Sequence, residues 1–193
     1  TRLPEMVNEG LAVPVDDLAK EVGIDWLTFN QNIEQDTVID GQHYAVPLDT
    51  HPQVLYYNKE HLKEAGLLTE DGKPKIEESP AGFIKFLTKL QQESSAKYAM
   101  SYWTNLTAAG HFRLWLGLYN QLGGGPLVSE GEVIIDREKA VKAAAYLRKI
   151  YKQGLTPLHS EYMESVNLFR NKKTAALLTG VWITGTLEQT EGL

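Results

Sequence analysis

The feature of this sequence that most constrains its fold is a regular alternation of strand-like and helix-like segments. Residues 53–57, Gln-Val-Leu-Tyr-Tyr, combine β-branched and aromatic side chains that suit a pleated, buried surface. Asn58 follows as a helix N-cap, and Gly66 stands where a left-handed residue ends that helix. Because such segments recur along the chain, the sequence predicts an α/β fold.

The later helices carry their own start and stop signals. Ser79-Pro80 places a capping residue before a proline at the first helical position, and the apolar residues that follow share one helical face. These residues are Phe83, Phe86, Leu87 and Leu90. Asp136 caps the clearest helix, which ends at Gly154. Further helices are predicted over 107–122 and 163–170, and strands over 98–102 and 174–178.

The first fifty residues are more broken. Asp16 is a plausible N-cap for a short helix that ends near Gly23. Asp40-Gly41 is typical of a hairpin turn, and residues 43–47 follow it as a short predicted strand.

Composition excludes several classes of function. A net charge of −6 and the lack of a basic patch argue against nucleic acid or an anionic membrane surface as partner. The absence of cysteine removes disulfides, thiol nucleophiles and thiolate metal sites. No signal-peptide pattern follows Thr1, and we expect such a segment to have been removed or to lie outside this sequence.

No generic catalytic or cofactor motif is present. The sequence contains no G-x-S-x-G, no H-E-x-x-H, no G-x-x-x-x-G-K-[ST] and no G-x-G-x-x-G. The five histidines show no metal-ligand spacing. We therefore expect no catalytic residues, no metal and no cofactor.

One stretch is specific enough to indicate a family. Residues 44–59, Tyr-Ala-Val-Pro-Leu-Asp-Thr-His-Pro-Gln-Val-Leu-Tyr-Tyr-Asn-Lys, resemble the hinge-crossing signature of ABC-importer solute-binding proteins of the sugar-binding, maltodextrin-binding type. Further family features follow in the same order: Gly123-Gly124 at the end of a helix that follows an aromatic-rich loop, the Gly154-Leu-Thr-Pro157 helix end, and Gly180-Val-Trp182 after a strand. Two departures are Asn171-Lys172, where the family usually has Gly-Lys, and Val181, where it usually has proline.

This resemblance implies a periplasmic-binding-protein-like (type II) two-lobe fold. Residues 1–50 would be the tail of the N-terminal lobe and the hinge crossing, and residues 51–193 an incomplete C-terminal lobe. The implied function is the capture of a sugar or oligosaccharide for an ABC importer, with the membrane permease as partner. The implied location is extracytoplasmic, either periplasmic or lipid-anchored.

In this family the ligand lies in the cleft between the lobes. Aromatic rings cover the apolar C–H faces of a sugar, and charged or amide groups bond its hydroxyls. The loops that match the cleft supply the predicted ligand contacts: Asp49, Thr50, His51, Trp103, Asn105, His111 and Trp182. Residues 49–51 lie on the crossing segment, Trp103 follows a strand end, and Trp182 matches the stacking tryptophan of the family.

Simpler roles and other functions stay open at this point. Trp115 shares helical spacing with Phe112 and Tyr119, which favours core packing, and Asp49 could cap a helix or hold a hinge. A carbohydrate-active enzyme would use Asp49 with a second acid, but no matching acid is evident. A ligand-sensing domain of a transcriptional regulator shares the two-lobe plan. Half of a two-lobe protein would also expose apolar lobe surface, so we expect the fragment to self-associate through it.

Overall fold

Strands and helices alternate along most of the chain, as the sequence predicts. The computed structural model describes residues 2–104, 108–129 and 131–190. The strands in these ranges are β1 (Val38–Ile39), β2 (Gln42–His43), β3 (Gln53–Tyr57), β4 (Tyr98–Ser101), β5 (Val128–Ser129), β6 (Glu132–Val133) and β7 (Thr174–Gly180). The helices are α1 (Leu3–Asn8), α2 (Asp16–Glu21), α3 (Gln31–Gln35), α4 (Lys59–Glu64), α5 (Pro80–Glu93), α6 (Ala108–Gln121), α7 (Arg137–Lys152), α8 (Tyr162–Arg170) and α9 (Thr184–Glu188).

The chain divides into two compact units, residues 1–50 and 51–193. The second unit is built on a mixed sheet with strand order β3-β7-β4. β3 runs antiparallel to β7, with Tyr57 opposite Ala176, and β4 runs parallel to β7, with Met100 opposite the same residue. The central strand β7 is buried along nearly its whole length.

Local capping begins and ends the helices of this unit. The side chains of Asn58, Ser79 and Asp136 each accept a hydrogen bond from a backbone N–H in the first turn of α4, α5 and α7. All three caps confirm the sequence prediction. Gly66 and Gly154 have φ of 63° and 66° just after α4 and α7, which is the left-handed conformation expected of a C′ residue.

Two apolar clusters form the core of the second unit. The larger one joins α4, α5 and the sheet, and includes the fully buried Leu62, Leu87 and Leu90. The smaller one joins α8 to β7 through Val166, Phe169 and Leu177. The predicted apolar face of α5 is therefore confirmed as the face that packs into the core.

The first unit contains only short elements. Its hairpin joins β1 to β2, and the turn residues Asp40 and Gly41 both have positive φ, 50° and 77°. This combination is the type I′ geometry favoured in two-residue hairpins, so the predicted turn is confirmed. The strand after it is shorter than predicted, since β2 ends at His43.

A histidine with two carboxylates is the main polar contact of the first unit. The ring of His43 lies between Asp16 and Glu34, with Nδ1 2.7 Å from Asp16 Oδ1 and Nε2 2.6 Å from Glu34 Oε1. The same ring stacks on Trp26, with centroids 3.8 Å apart and planes 3° from parallel. Burial opposes protonation, but the hydrogen bonds to both carboxylates outweigh it and raise the pKa of His43.

This contact overturns the predicted role of Asp16. The N-cap of α2 is Val15, without a side-chain cap bond, and Asp16 is the first helical residue. Its carboxylate also accepts from the backbone N–H of His43 at 3.0 Å. A partner 27 residues away therefore takes the carboxylate that a local rule assigned to the helix end.

Candidate functional site

Three of the predicted contact residues meet at one edge of the sheet. Because β4 and β7 are parallel, their carboxyl ends lie at the same edge, where α/β folds place ligand sites. The antiparallel β3 begins at that edge, with Gln53 opposite Gly180. Trp103 lies two residues beyond β4, Trp182 two residues beyond β7, and His51 two residues before β3.

The position of the Trp182 ring is fixed by its contacts with Gly180, Tyr162 and His51. A Cβ atom at Gly180 would come within 1.8 Å of the ring, so the indole lies directly over a position that only glycine leaves open. Trp182 Nε1 donates a hydrogen bond to Tyr162 Oη at 2.6 Å, and the ring of His51 stands edge-on to it at a centroid distance of 5.4 Å. Trp182 is still 43% exposed, so a fixed aromatic surface remains open to a ligand.

A cavity of about 320 Å³ opens beside this ring. Its lining residues are Gln53, Tyr102, Trp103, Gly110, Arg113, Leu114, Tyr162, Leu178, Thr179 and Trp182. We call this cavity the aromatic pocket, because three of its walls are the rings of Trp103, Tyr162 and Trp182. The rings of Trp103 and Tyr162 meet nearly at right angles, 73°, with centroids 6.4 Å apart. The pocket therefore offers flat apolar faces in more than one direction.

The loop before α8 is tied to the end of β4, and this link positions Tyr162. The backbone N–H of Thr104 donates to the carbonyl of Ser160 at 2.9 Å, and the N–H of Ser160 donates to Thr104 Oγ1 at 2.8 Å. The Thr104 hydroxyl in turn donates to the carbonyl of Pro157 at 3.2 Å. Thr104 and Ser160 are both buried. Because Tyr162 follows Ser160 by two residues, these hydrogen bonds also position Tyr162 near the end of β4.

The polar side chains of the aromatic pocket come from several elements, and they include Thr179 on β7. Arg113 extends from α6, Gln53 from the start of β3, and Tyr162 from the start of α8. Arg113 is exposed and has no carboxylate oxygen within 4.0 Å in the described part of the chain. Trp103 Nε1 is buried and donates to no acceptor in the described ranges.

His111, another predicted contact, is not among the residues that line the aromatic pocket. Its Nδ1 is 2.8 Å from Tyr151 Oη and its Nε2 is 3.2 Å from the carbonyl oxygen of Thr104. The Tyr151 hydroxyl also contacts that of Tyr102, and burial raises the pKa of Tyr151. Both ring nitrogens of His111 are therefore engaged inside the unit, and the ring faces a shallow groove between α6 and α7. Its predicted ligand contact stays a prediction.

The other three predicted contacts are Asp49, Thr50 and Asn105. Asp49 and Thr50 belong to the first unit, where both are exposed in a segment without helix or strand. Asn105 lies outside the described residues. The ligand-binding roles of Asp49, Thr50 and Asn105 stay predictions.

Sequence reasoning missed Tyr162 and Arg113. The apolar spacing of α6 pointed to Phe112 and Trp115, which stack on each other at 5.9 Å and line a different groove. Another side of α6 carries Gly110 and Arg113, a small residue beside a long cation, and that spacing was the available signal. The residues around Tyr162 in the sequence do not indicate that it lines a site, because its hydrogen-bond partner Trp182 is twenty residues away.

The described residues contain neither a candidate metal site nor a membrane-spanning helix. No cluster of three or more His, Asp or Glu side chains in residues 2–104, 108–129 and 131–190 could hold a metal ion. In the same ranges, no helix has the length and apolar character needed to cross a lipid bilayer.

Comparison with known proteins gives one family and a consistent group of relatives. Residues 1–192 match the family described as bacterial extracellular solute-binding protein. The galactooligosaccharide-binding protein of Bacillus subtilis (strain 168) is 28% identical over 156 residues, which covers 77% of this chain and 34% of that protein. The maltodextrin-binding protein MdxE of the same organism is 25% identical over 159 residues, covering 80% and 36%. The chain spans about a third of the length of these curated relatives.

Solved structures show the same fold at lower identity. UgpB from Mycobacterium tuberculosis, in complex with glycerophosphocholine, has a TM-score of 0.78 and 21% identity, covering 98% of this chain and 47% of that one. The GacH receptor of Streptomyces glaucescens, solved unliganded and with acarbose, has a TM-score of 0.77 and 21% identity, covering 98% and 46%. The predicted periplasmic-binding-protein-like α/β fold is confirmed by these likenesses.

Proposed function

This chain belongs to the bacterial extracellular solute-binding protein family, and we propose that it forms part of the sugar-binding cleft of an ABC importer's capture protein. The observation that carries the proposal is the exposed ring of Trp182, fixed over Gly180 and bonded to Tyr162 at the wall of the aromatic pocket. A sugar presents apolar C–H faces that stack on such a ring. Its hydroxyls would bond Arg113 and Gln53 at the same pocket.

The division of the chain fits this role. We propose that residues 1–50 are the tail of the N-terminal lobe with the hinge crossing, and that residues 51–193 belong to the C-terminal lobe. In such a protein the second wall of the cleft comes from the other lobe, and closure removes water that competes for the sugar. Asp49, Thr50 and His51 are the proposed contacts from the crossing segment.

The relatives favour binding over catalysis. The matching family and the curated relatives are solute-binding proteins rather than enzymes. Their names refer to galactooligosaccharides and maltodextrin, which supports an oligosaccharide as the ligand here. We propose the membrane permease of the importer as the partner.

The family implies an extracytoplasmic location. Within that location, we propose a protein that is either free in the periplasm or held by a lipid at the outer face of the cytoplasmic membrane.

The test is calorimetric titration of the full-length protein with galactooligosaccharides and maltodextrins, for the wild type and Trp182→Ala. Loss of the stacking ring removes apolar burial and ring contacts worth about 1.5–3 kcal/mol, so affinity should fall roughly ten- to hundredfold. Phe112→Ala is the matched control, because Phe112 is similarly exposed, at 46%, but lies outside the aromatic pocket. Absence of binding to every sugar, or binding that Trp182→Ala leaves unchanged, would overturn the proposal.

A further inference from the structure

The polar groups that line the aromatic pocket are mostly hydrogen-bond donors. Arg113 has five N–H groups and no acceptor. The oxygen of Tyr162 already accepts from Trp182, so its own O–H is left to donate. Trp103 Nε1 also has no acceptor in the described chain, but this atom is buried, so it is not counted among the donors open to a ligand. Gln53 brings a carbonyl oxygen as well as an N–H₂, and Thr179 brings a hydroxyl that can donate or accept.

No carboxylate balances these donors at the described wall of the pocket. Aspartate and glutamate are absent from its lining residues. An adjoining cavity of about 500 Å³ shares Gln53 and Arg113 with it and includes Glu77 and Glu78. The Glu77 carboxylate is bonded to the Ser79 hydroxyl at 3.0 Å and to Lys85 Nζ at 3.5 Å.

Arg113 forms no salt bridge within the described part of the chain. In the described ranges neither Glu77 nor Glu78 comes within the 4.0 Å that defines a salt bridge with Arg113. A guanidinium binds a carboxylate through two parallel N–H···O bonds, which is the strongest pairing open to it.

The chemistry of the ligand decides how well these donors are used. A neutral sugar offers hydroxyls, each of which brings a donor together with its acceptor sites, and a donor without a partner in a closed pocket costs about 1–3 kcal/mol. A carboxylate only accepts, with about four lone-pair sites. It therefore matches a wall that carries a cation and several N–H and O–H groups.

We infer that the sugar unit entering the aromatic pocket carries a carboxylate, so that the ligand is a saccharide containing uronic acid. This inference rests on the proposed sugar-binding function and names the class of sugar. The carboxylate of a uronic acid is attached at the edge of the pyranose ring. The ring can therefore stack on Trp182 while the carboxylate pairs with Arg113, which comes from a different element of the fold.

The test compares two ligands that differ in this group alone. The full-length protein is titrated with the trimer of α-1,4-linked galacturonic acid and with the trimer of α-1,4-linked galactose, at low salt. A charge-assisted bidentate bond contributes about 1.5–3 kcal/mol, so the acidic trimer should bind at least about tenfold more tightly. Added sodium chloride should reduce that preference, since salt screens an accessible charge pair.

Arg113 variants locate the effect. Arg113→Gln should abolish the preference for the acidic trimer, because that trimer loses a charge-assisted bidentate pair whereas the neutral trimer loses only hydrogen bonds to its hydroxyls. The exposed side chain supports no core packing, so the fold should be retained. Arg113→Lys should restore part of the preference, since it keeps the charge but loses the two-pronged geometry. Arg148→Gln removes another exposed arginine, which lies outside the aromatic pocket, and should leave the preference intact.

The outcomes separate the two proposals. If the neutral trimer binds as well as the acidic one and Trp182→Ala abolishes that binding, the uronic-acid inference is wrong and the proposed function stands. A preference for the acid that survives Arg113→Gln would also overturn the inference. If no neutral or acidic saccharide binds, the proposed function fails as well.

Discussion

The second unit encloses a continuous apolar core, whereas the first has almost none. Leu62, Leu87 and Leu90 are completely buried between helices and sheet. Among described residues 2–50, only Ala19 and Thr37 are buried. In place of a core, the first unit has the stacked and doubly hydrogen-bonded ring of His43.

The difference follows from the size and length of the elements. Small units bury a smaller fraction of their surface, and helices of five or six residues cannot present a long apolar face. The first unit consequently leaves large apolar side chains open, including Leu27 at 87% and Leu48 at 94% exposure. Patches of this kind are the predicted surface for self-association. Hydrogen bonds and ring stacking at His43 therefore contribute more to the structure of the first unit, where few apolar side chains are buried.

Truncating one leucine in each unit should produce the largest contrast. Leu87→Ala removes a fully buried side chain and should lower the free energy of unfolding by about 2–5 kcal/mol. Leu27→Ala removes an exposed side chain and should change it by less than about 0.5 kcal/mol. Urea unfolding followed by circular dichroism measures both. Equal losses in the two variants would mean that the units do not differ in packing as described.

A smaller effect is expected from a substitution at Gly180, where close packing positions Trp182 at the aromatic pocket. Gly180→Ala adds a methyl group 1.8 Å from the ring of Trp182, while the backbone φ of −82° accepts alanine. The ring must move and its bond to Tyr162 must break, so affinity for a bound sugar should fall about tenfold or more with the fold retained. Titration calorimetry measures the change.

Gly185→Ala is the matched control. Gly185 is in α9, and apart from its chain neighbours and the backbone of its own helix, no described atom lies within 4 Å of a Cβ at this position. This change should therefore leave sugar affinity as it is. Alanine is also the better helix former and should stabilise the protein slightly. Unchanged sugar affinity in Gly180→Ala would show that the pose of Trp182 does not matter for binding.

The smallest expected effect is a pH dependence of the first unit. The pKa of His43 is raised above 6.5 in the folded protein, so the stabilisation is fully present below about pH 6.5 and is lost as pH rises through the folded value. The hydrogen bond from His43 lowers the pKa of Asp16, so that contribution is lost as pH falls below about 3.8. The pairs are partly exposed, which limits the size of both terms.

NMR titration of the His43 ring measures the first of these shifts. Asp16→Asn removes one carboxylate and should bring the pKa of His43 down toward 6.5. Asp17→Asn changes the neighbouring charge, which does not contact the ring, and should leave the midpoint almost where it is. If Asp17→Asn lowers the midpoint as much as Asp16→Asn does, general charge rather than this contact controls His43.

Features that depend on neighbours along the chain were predictable from the sequence. The caps at Asn58, Ser79 and Asp136, the glycines after α4 and α7 and the Asp40-Gly41 turn were all predictable. Each reflects a backbone conformation or a hydrogen bond spanning a few residues. The order of strands and helices, and with it the fold class, follows from these signals and from the periodicity of apolar residues.

Contacts between residues far apart in sequence could not be predicted before the fold was known. Asp16 bonds His43 instead of capping its own helix, and Tyr162 fixes Trp182 across twenty residues. Arg113 joins the aromatic pocket because α6 lies beside the edge where β4 and β7 end. Local propensities contain no term for such pairs, since the free energy that selects them arises only once the sheet has brought the segments together.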